Sequence, residues 1–270
     1  MLKILRIVLV LISMFTLIYF GLNSYKEAKL YEKNTATIAN DCDANGLAQG
    51  KLDKFTSVIS FGLIKDDRKE KLDMLKAEQD ESKKASEINL YYFMATLLFL
   101  IIVSMTCSTR ASTMTLAIGS LISLIFGLIN PILMVTIHKE VEYLGDVILS
   151  FESKGIIGSI TKLFENGDIA VAITILLFSV LVPLTKILTI IFTIIFKNFR
   201  FSHNLVAFFR HIGKWSMIDV FIVATFLVYL TNNGNGVSHA EIEVGLYFFL
   251  AYVILSMITA IKMQKVISPS

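Results

Sequence analysis

Charged residues are scarce in this chain. Asp, Glu, Lys and Arg make up 17% of its 270 residues, where soluble proteins have about 25%. Hydrophobic residues reach 55% and the mean hydropathy is +0.69. This composition excludes a disordered chain and argues against a water-soluble enzyme. The net charge of +3 is too small to indicate a nucleic-acid-binding protein. We therefore interpret the chain as an integral membrane protein.

Cysteine is also scarce. Cys42 and Cys107 lie far apart and form no C-x-x-C pair, so the sequence indicates neither a disulfide framework nor a zinc site. Two aspartates flank Cys42, but no Glu completes an EF-hand spacing, and a solvated turn is favoured over a metal loop. The chain also lacks H-E-x-x-H, paired intramembrane aspartates and a Ser/His pair at membrane depth. We expect no enzyme activity, no metal and no cofactor.

Apolar runs of about 20 residues, the length that crosses a bilayer, predict six transmembrane helices. Four runs carry no charge: 7–25, 88–109, 111–137 and 244–261. A fifth, 169–196, is interrupted only by Lys186, and a sixth starts near Ser216, carries Asp219 and ends at the turn-rich segment 231–236. The first run lacks a small-residue cleavage site, so we interpret it as an uncleaved anchor.

The loop charges predict an orientation. The segment 197–215 has four Lys or Arg and no acidic residue, whereas 138–168 has six acidic residues against three Lys, and 232–243 has two Glu and no Lys or Arg. Both termini are therefore expected in the cytoplasm. The segments 26–87, 138–168 and 232–243 are expected outside.

Three patterns flank the predicted spans. Residues 65–86 are rich in charged helix formers and predict a helix that extends the second span outward. Alternating apolar residues on both sides of Gly145 predict a hairpin, and an amphipathic helix follows, ending at Gly167. The two could form a lid over the outer mouth of the bundle, or the helix could rest on lipid headgroups. The segment 205–214 predicts a basic interfacial helix, with Arg210 and Lys214 contacting anionic headgroups.

Ionisable residues inside a span are the main functional candidates, because each costs roughly 2.5–3.5 kcal/mol at the helix centre on insertion scales. Lys186 lies ten residues, about 15 Å, from the end of its span at residue 196, too deep to reach water by snorkelling. Asp219 lies one turn into the next span. The residues that could join them in a polar network and candidate proton path are Ser179, Thr185, Thr189, Ser216 and Thr225.

Other interpretations of these positions stay open. Asp219 could be a first-turn carboxylate that pairs with Lys214 or Arg210, and Lys186 could hold helices together or bind an anionic headgroup. Pro183 is expected to kink the span of Lys186. Asn130 and Pro131 are expected to form a second kinked, polar point in the third span, consistent with an opening toward the outer side.

Three segments resemble the paraquat-inducible protein A family. The first combines Asn130-Pro-Ile-Leu-Met134 with 154–157 and 165–170. The second is Val182-Pro-Leu-Thr-Lys-Ile187, and the third, the most specific, is Lys214-Trp-Ser-Met-Ile-Asp-Val-Phe221. The resemblance covers about residues 111–262. It implies an inner-membrane protein that works with periplasmic MCE-domain proteins to move phospholipids between the membranes of the envelope. It also places Lys186 and Asp219 in the polar network of the module.

The apolar runs predict an all-α polytopic fold with about six transmembrane helices, and the resemblance implies that four of them form a tetraspanin-like module with a small outer β-hairpin. The expected division is an N-terminal helical hairpin, 1–110, which includes the charged periplasmic segment 26–87, then the module, 111–262, and a cytoplasmic tail, 263–270. Family members commonly have two modules and cysteine-rich zinc ribbons, whereas this chain has one module and no ribbon, so a homo-oligomer could supply the second. The alternative is a non-transporting adaptor or scaffold involved in envelope stress, which would dock a partner through 26–87.

Overall fold

The computed structural model describes residues 2–41, 67–141, 145–195 and 238–267. Its helices are α1 (Leu2–Asp41), α2 (Asp67–Met105), α3 (Thr109–Ile129), α4 (Ile156–Glu165), α5 (Ile169–Ile175), α6 (Val182–Ile195) and α7 (Val244–Ile267). Its strands are β1 (Leu133–Val141), β2 (Gly145–Lys154) and β3 (Ser238–Ile242). In these ranges five helical stretches are long and apolar enough to cross a membrane: α1, α2, α3, the stretch from α5 through α6, and α7. The expected sixth span and the basic helix 205–214 lie outside the described residues.

Helices α1 and α2 pack against each other in antiparallel orientation along most of their length. Ser24 pairs with Ser86, and Thr35 with Gln79, so contact positions run in opposite directions along the two helices. Small residues such as Ala28 are buried at this interface, which lets the two backbones approach closely. The predicted helical extension of the second span is confirmed, since α2 begins at Asp67; its outward direction stays a prediction. Helix α1 also continues, to Asp41, beyond its expected end at residue 25.

Helices α3 and α7 form the centre of the remaining bundle, and α6 packs on α3. The buried side of α3 is rich in Ser, Thr, Gly and Ala, with Leu116 and Leu124 fully buried. The two helices approach closely at Gly127, since a Cβ added there would lie 2.8 Å from the backbone nitrogen of Phe249. Small residues therefore set the spacing of this pair.

The third span is shorter than expected, and the prediction of a kink at Asn130 and Pro131 is corrected. Helix α3 ends at Ile129, Asn130 is its C-cap in extended conformation (ψ 152°), and β1 starts at Leu133. A residue before proline is disfavoured in the helical region, so Pro131 ends the helix instead of bending it. The apolar residues that follow looked like a continued span because the first residues of β1 are buried: Leu133 is 0% exposed.

The predicted hairpin is confirmed as β1 and β2, and it belongs to a three-stranded antiparallel sheet in the order β2-β1-β3. The sequence did not predict β3, which pairs Leu133 with Ile242 and Ile137 with Ser238. The predicted amphipathic helix is confirmed as α4, which buries Ile156 and Ile160. It is followed by Gly167 at a φ of 86°.

The span that contains Lys186 is irregular just before Pro183. Residues Leu176–Leu181 form a π-helical turn between α5 and α6, and the backbone N–H of Val182 bonds to the carbonyl of Leu177, five residues back. Pro183 has no backbone N–H and cannot donate a helical hydrogen bond to the preceding turn. We attribute the π-helical hydrogen-bond pattern of that turn to this missing donor.

Candidate functional site

The three segments expected outside the membrane meet at one end of the bundle. The hydroxyl of Tyr31 on α1 donates to Glu241 Oε2 on β3 at 2.9 Å, and Lys83 Nζ on α2 lies 2.7 Å from the same oxygen. Lys83 Nζ also lies 5.3 Å from the centroid of the Tyr31 ring, within the range of a cation–π contact. These contacts join both N-terminal helices to the sheet of the module.

Glu243, two residues further along, lies where β3 meets α7. Its backbone N–H donates to the carbonyl of Ile132 at 2.9 Å, while its side chain is buried, with the residue only 5% exposed. Within the described ranges, Glu243 Oε1 has no hydrogen-bond partner. Burial raises the pKa of the Glu243 carboxyl to about 7; Glu241 and Glu87 add to the effect and Lys83 opposes it. This carboxyl therefore exchanges its proton close to neutral pH.

A cavity of about 310 Å³ lies beside Glu243, between α2 and α7. One end is polar and is lined by Tyr31, Lys83, Ser86, Glu87 and Glu243. The rest is apolar and is lined by Leu90, Tyr91, Met94, Ile242, Val244, Tyr247, Leu250, Ala251 and Ile254. A concave site with an apolar wall and a few convergent polar groups is the usual form of a small-molecule site.

Lys186 is buried within the protein, at 3% exposure. It shares the buried side of α6 with Pro183, Ile187 and Ile190, and this helix packs on α3. Ser179, seven residues earlier in the π-helical turn, is buried as well. A lysine in this position is shielded by neighbouring helices from the acyl chains that would surround an outward-facing residue.

Thr185 and Thr189, the two predicted threonines near Lys186, bond to carbonyls of their own helix. Thr185 is exposed and donates its hydroxyl to the carbonyl of Leu181 at 2.8 Å, and Thr189 donates to the carbonyl of Thr185 at 2.6 Å. Both hydroxyl protons are thus used by the helix itself. The structure brings Ser179, but not Thr185, to the buried side where Lys186 lies.

The other predicted site residues divide into two groups. Asn130 and Pro131 are buried at the junction of α3, β1 and α7, where the N–H of Gly245 donates to the carbonyl of Pro131 at 2.9 Å. The second group lies outside the described residues and stays a prediction: Arg210, Lys214, Ser216, Asp219 and Thr225.

Sequence reasoning missed Tyr31, Lys83, Glu241 and Glu243 as a cluster. Lys83 was one charge among many in a solvated helix, and the two glutamates only contributed to the loop charge. A carboxylate directly before an apolar helix is typical of an ordinary helix start. The position of Glu243 directly beside a span was the one signal in the sequence that could have pointed to this cluster. That its Oε1 is buried without a partner among the described residues is visible only in the folded chain.

The comparisons with known proteins agree with the resemblance found in the sequence. The family model of paraquat-inducible protein A matches residues 111–266. A "probable intermembrane transport protein" of Haemophilus influenzae is 23% identical over 110 residues, which are 38% of this chain and 26% of that protein; the match therefore spans about a quarter of that relative. No solved structure matches. Because the family model covers more than half of the 270 residues, the chain belongs to the paraquat-inducible protein A family.

Proposed function

We propose that this chain is an inner-membrane subunit of an MCE-type intermembrane lipid transport system, which moves phospholipid across the cell envelope. Membership of the paraquat-inducible protein A family supports this proposal, as does the name of the relative from Haemophilus influenzae. The partner in the proposal is a periplasmic MCE-domain protein, and both termini lie in the cytoplasm. The five apolar helical stretches in the described ranges are consistent with a multi-pass protein.

The burial of Lys186 carries the proposal. An ammonium group is expensive at membrane depth, and intramembrane lysines that face a bundle interior mark substrate or proton pathways. Lys186 lies on the buried side of α6, directly after a π-helical turn, an irregularity that is frequent at functional sites. An amine held there can carry a proton through the bundle or bind a lipid phosphate during transfer.

The test compares Lys186→Met, which keeps an unbranched side chain one atom shorter and removes its charge, with Lys186→Arg, which keeps the charge. Phospholipid transfer between membranes is measured in cells that depend on this chain, at matched protein levels. We expect Lys186→Met to lower the transfer rate by at least about tenfold and Lys186→Arg to restore part of it. Leu188→Ala, on the exposed side of the same helix, is the control and should transfer normally. Normal transfer in Lys186→Met would remove Lys186 from the mechanism.

One observation favours the adaptor as a second candidate function. Helices α1 and α2 continue beyond their apolar parts as a charged antiparallel pair, to Asp41 and from Asp67, and such a pair could dock a partner. A variant that lacks two turns of α1 after residue 31 and two turns of α2 before residue 83 separates the adaptor from the transporter. An adaptor would lose activity in the shortened variant and keep it in Lys186→Met; a transporter driven through Lys186 would show a severe defect in Lys186→Met.

A further inference from the structure

The cavity beside Glu243 has walls from two parts of the chain. Leu90, Tyr91 and Met94 of α2 form one wall, and this helix lies outside the residues that match the family. Tyr247, Leu250, Ala251 and Ile254 of α7, inside the family match, form the other. Neither part encloses the cavity alone. It exists because the N-terminal helical pair packs against the module.

The segment of α7 that lines the cavity is about as long as one membrane leaflet is thick. Its polar end includes Lys83 and Glu87, just before the apolar part of α2, and Glu243, just before the apolar helix α7. From Glu243 to Ile254 the chain advances eleven residues, about 16 Å, which is close to half of a hydrocarbon core of about 30 Å. Tyr91 is 70% exposed and Ile254 50%, so the apolar walls open sideways, where acyl chains are found.

The charges at the polar end favour a positively charged group. Two acidic residues, Glu87 and Glu243, line it together with one lysine, Lys83, and that lysine already donates to Glu241. Glu243 has a pKa of about 7, and a positively charged ligand beside it favours its ionised form. An anionic headgroup would add negative charge to this excess, whereas an ammonium group reduces it.

Glu243 also requires a hydrogen-bond donor. Its Oε1 is buried and has no partner among the described residues, and a buried acceptor without a donor is destabilising. A primary ammonium has three N–H groups to offer, as a lysine side chain has, whereas a quaternary choline group has none. Lys83 has three donors on Nζ, so it can bond to a phosphate while it remains paired with Glu241.

We infer that this cavity binds a phospholipid with a primary amine in its headgroup, from the leaflet on the side of the sheet. The ammonium group of the lipid donates to the Glu243 carboxyl, its phosphate accepts from Lys83, and one acyl chain lies along the apolar walls of α2 and α7. The site goes beyond the proposed transport and does not depend on it, because the cavity lies between α2 and α7, whereas Lys186 lies on α6.

The experiment measures which lipid the full chain retains. The protein is reconstituted in nanodiscs with equal parts phosphatidylethanolamine, phosphatidylcholine and phosphatidylglycerol, extracted into detergent, and its bound lipids are quantified by mass spectrometry. We expect phosphatidylethanolamine to be enriched about tenfold over phosphatidylcholine, the ratio that one hydrogen bond to a charged group supports. Glu243→Gln should lose most of this enrichment, and Glu78→Gln, an exposed glutamate on α2, should keep it.

A second variant tests the apolar walls without touching the headgroup site. Leu250 is 45% exposed, and Leu250→Trp fills the cavity from its open side. Ile261→Trp, at a position 57% exposed on the same helix, is the control. We expect Leu250→Trp to lower total retained lipid, and Ile261→Trp to retain as much as the unmodified chain. Equal retention of the three lipids by the unmodified chain would overturn the inference, as would unchanged enrichment in Glu243→Gln or unchanged total lipid in Leu250→Trp. Lys186→Met should retain lipid normally, so failure of transport and failure of this site are distinguishable.

Discussion

Lys83 and Glu241 are 158 residues apart in the chain, and yet Lys83 Nζ lies 2.7 Å from Glu241 Oε2. The first residue belongs to the N-terminal helical pair and the second to the last strand of the sheet. With Tyr31 on the same carboxylate, this contact joins the helical pair to the module, next to the wall of the cavity beside Glu243.

The energy of this contact can be measured in a double-mutant cycle of Lys83→Met and Glu241→Gln. Both side chains are partly exposed, at 35% and 51%, and solvent weakens such pairs, so we expect a coupling free energy below about 1 kcal/mol. The measurement is the free energy of unfolding in detergent micelles. Tyr31→Phe, which removes one hydrogen bond to the same oxygen, should cost about 1 kcal/mol. A coupling above about 2 kcal/mol would mean that the pair is shielded from water.

Glu243 predicts a specific dependence of stability on pH. Its pKa is raised from 4.5 in the unfolded chain to about 7 in the folded protein, so between these values the folded protein binds more protons. Stability should therefore fall as pH rises from 4.5 to about 7, with the loss complete above that range. The total corresponds to about 3 kcal/mol.

Glu243→Gln should remove this dependence, because an amide has no proton to lose. We expect the variant to gain thermal stability relative to the unmodified chain as pH rises through the window, and the difference to level off above pH 7. Glu78→Gln, which is exposed, is the matched control. Identical pH profiles for Glu243→Gln and the unmodified chain would show that this carboxyl does not titrate in the window.

Gly127 should tolerate no side chain. A Cβ there would lie 2.8 Å from the backbone nitrogen of Phe249 and 2.9 Å from its Cα, and backbone atoms cannot move aside singly. We expect Gly127→Ala to destabilise the protein by about 1–3 kcal/mol. Gly119→Ala on the same helix is the control, since its Cβ would meet only side-chain methyl groups, of Leu100 at 3.1 Å and of Leu255 at 3.9 Å. The two melting temperatures decide, and equal values would contradict the close approach of α3 and α7.

Alanine substitutions at Gly167 and Gly158 separate the effect of backbone conformation on stability from the effect of packing. A Cβ at either position meets nothing within 4 Å, but Gly167 has a φ of 86° and Gly158 lies inside α4. Gly167→Ala should therefore destabilise the protein by about 1–2 kcal/mol, whereas Gly158→Ala should stabilise it by about 0.5–1 kcal/mol. Thermal unfolding of the two variants gives the comparison. Stabilisation by both substitutions would argue against the left-handed conformation of Gly167.

The two cysteines test the orientation that the loop charges predict. Cys42 is expected outside, and Cys107, in the turn between α2 and α3, is expected on the cytoplasmic side. In intact cells a membrane-impermeant maleimide should label Cys107→Ser, which keeps Cys42, and leave Cys42→Ser unlabelled. Cys107 is partly buried, so detergent-solubilised Cys42→Ser serves as the control for its reactivity. Labelling of Cys107 in intact cells would show that the orientation is opposite to the predicted one.

Much of the fold could be predicted from the sequence, because the relevant signals are local. Long apolar runs indicate spans since a bilayer excludes charge, and alternation on both sides of Gly145 indicates a hairpin since side chains in a strand point to opposite faces. The depth of Lys186 in its span follows from counting residues. The family resemblance likewise depends on short segments that can be compared without a structure.

Only the tertiary structure decided how these parts meet. The end of α3 at Ile129 was hidden because a buried strand start and a span have the same composition. Strand β3 became visible through its pairing with β1, about 100 residues earlier in the chain. The cavity arises from α2, β3 and α7 together, and the burial of Glu243 Oε1 without a hydrogen-bond partner among the described residues is likewise a result of folding. These are contacts between distant residues, and a linear pattern does not record which distant residues come together.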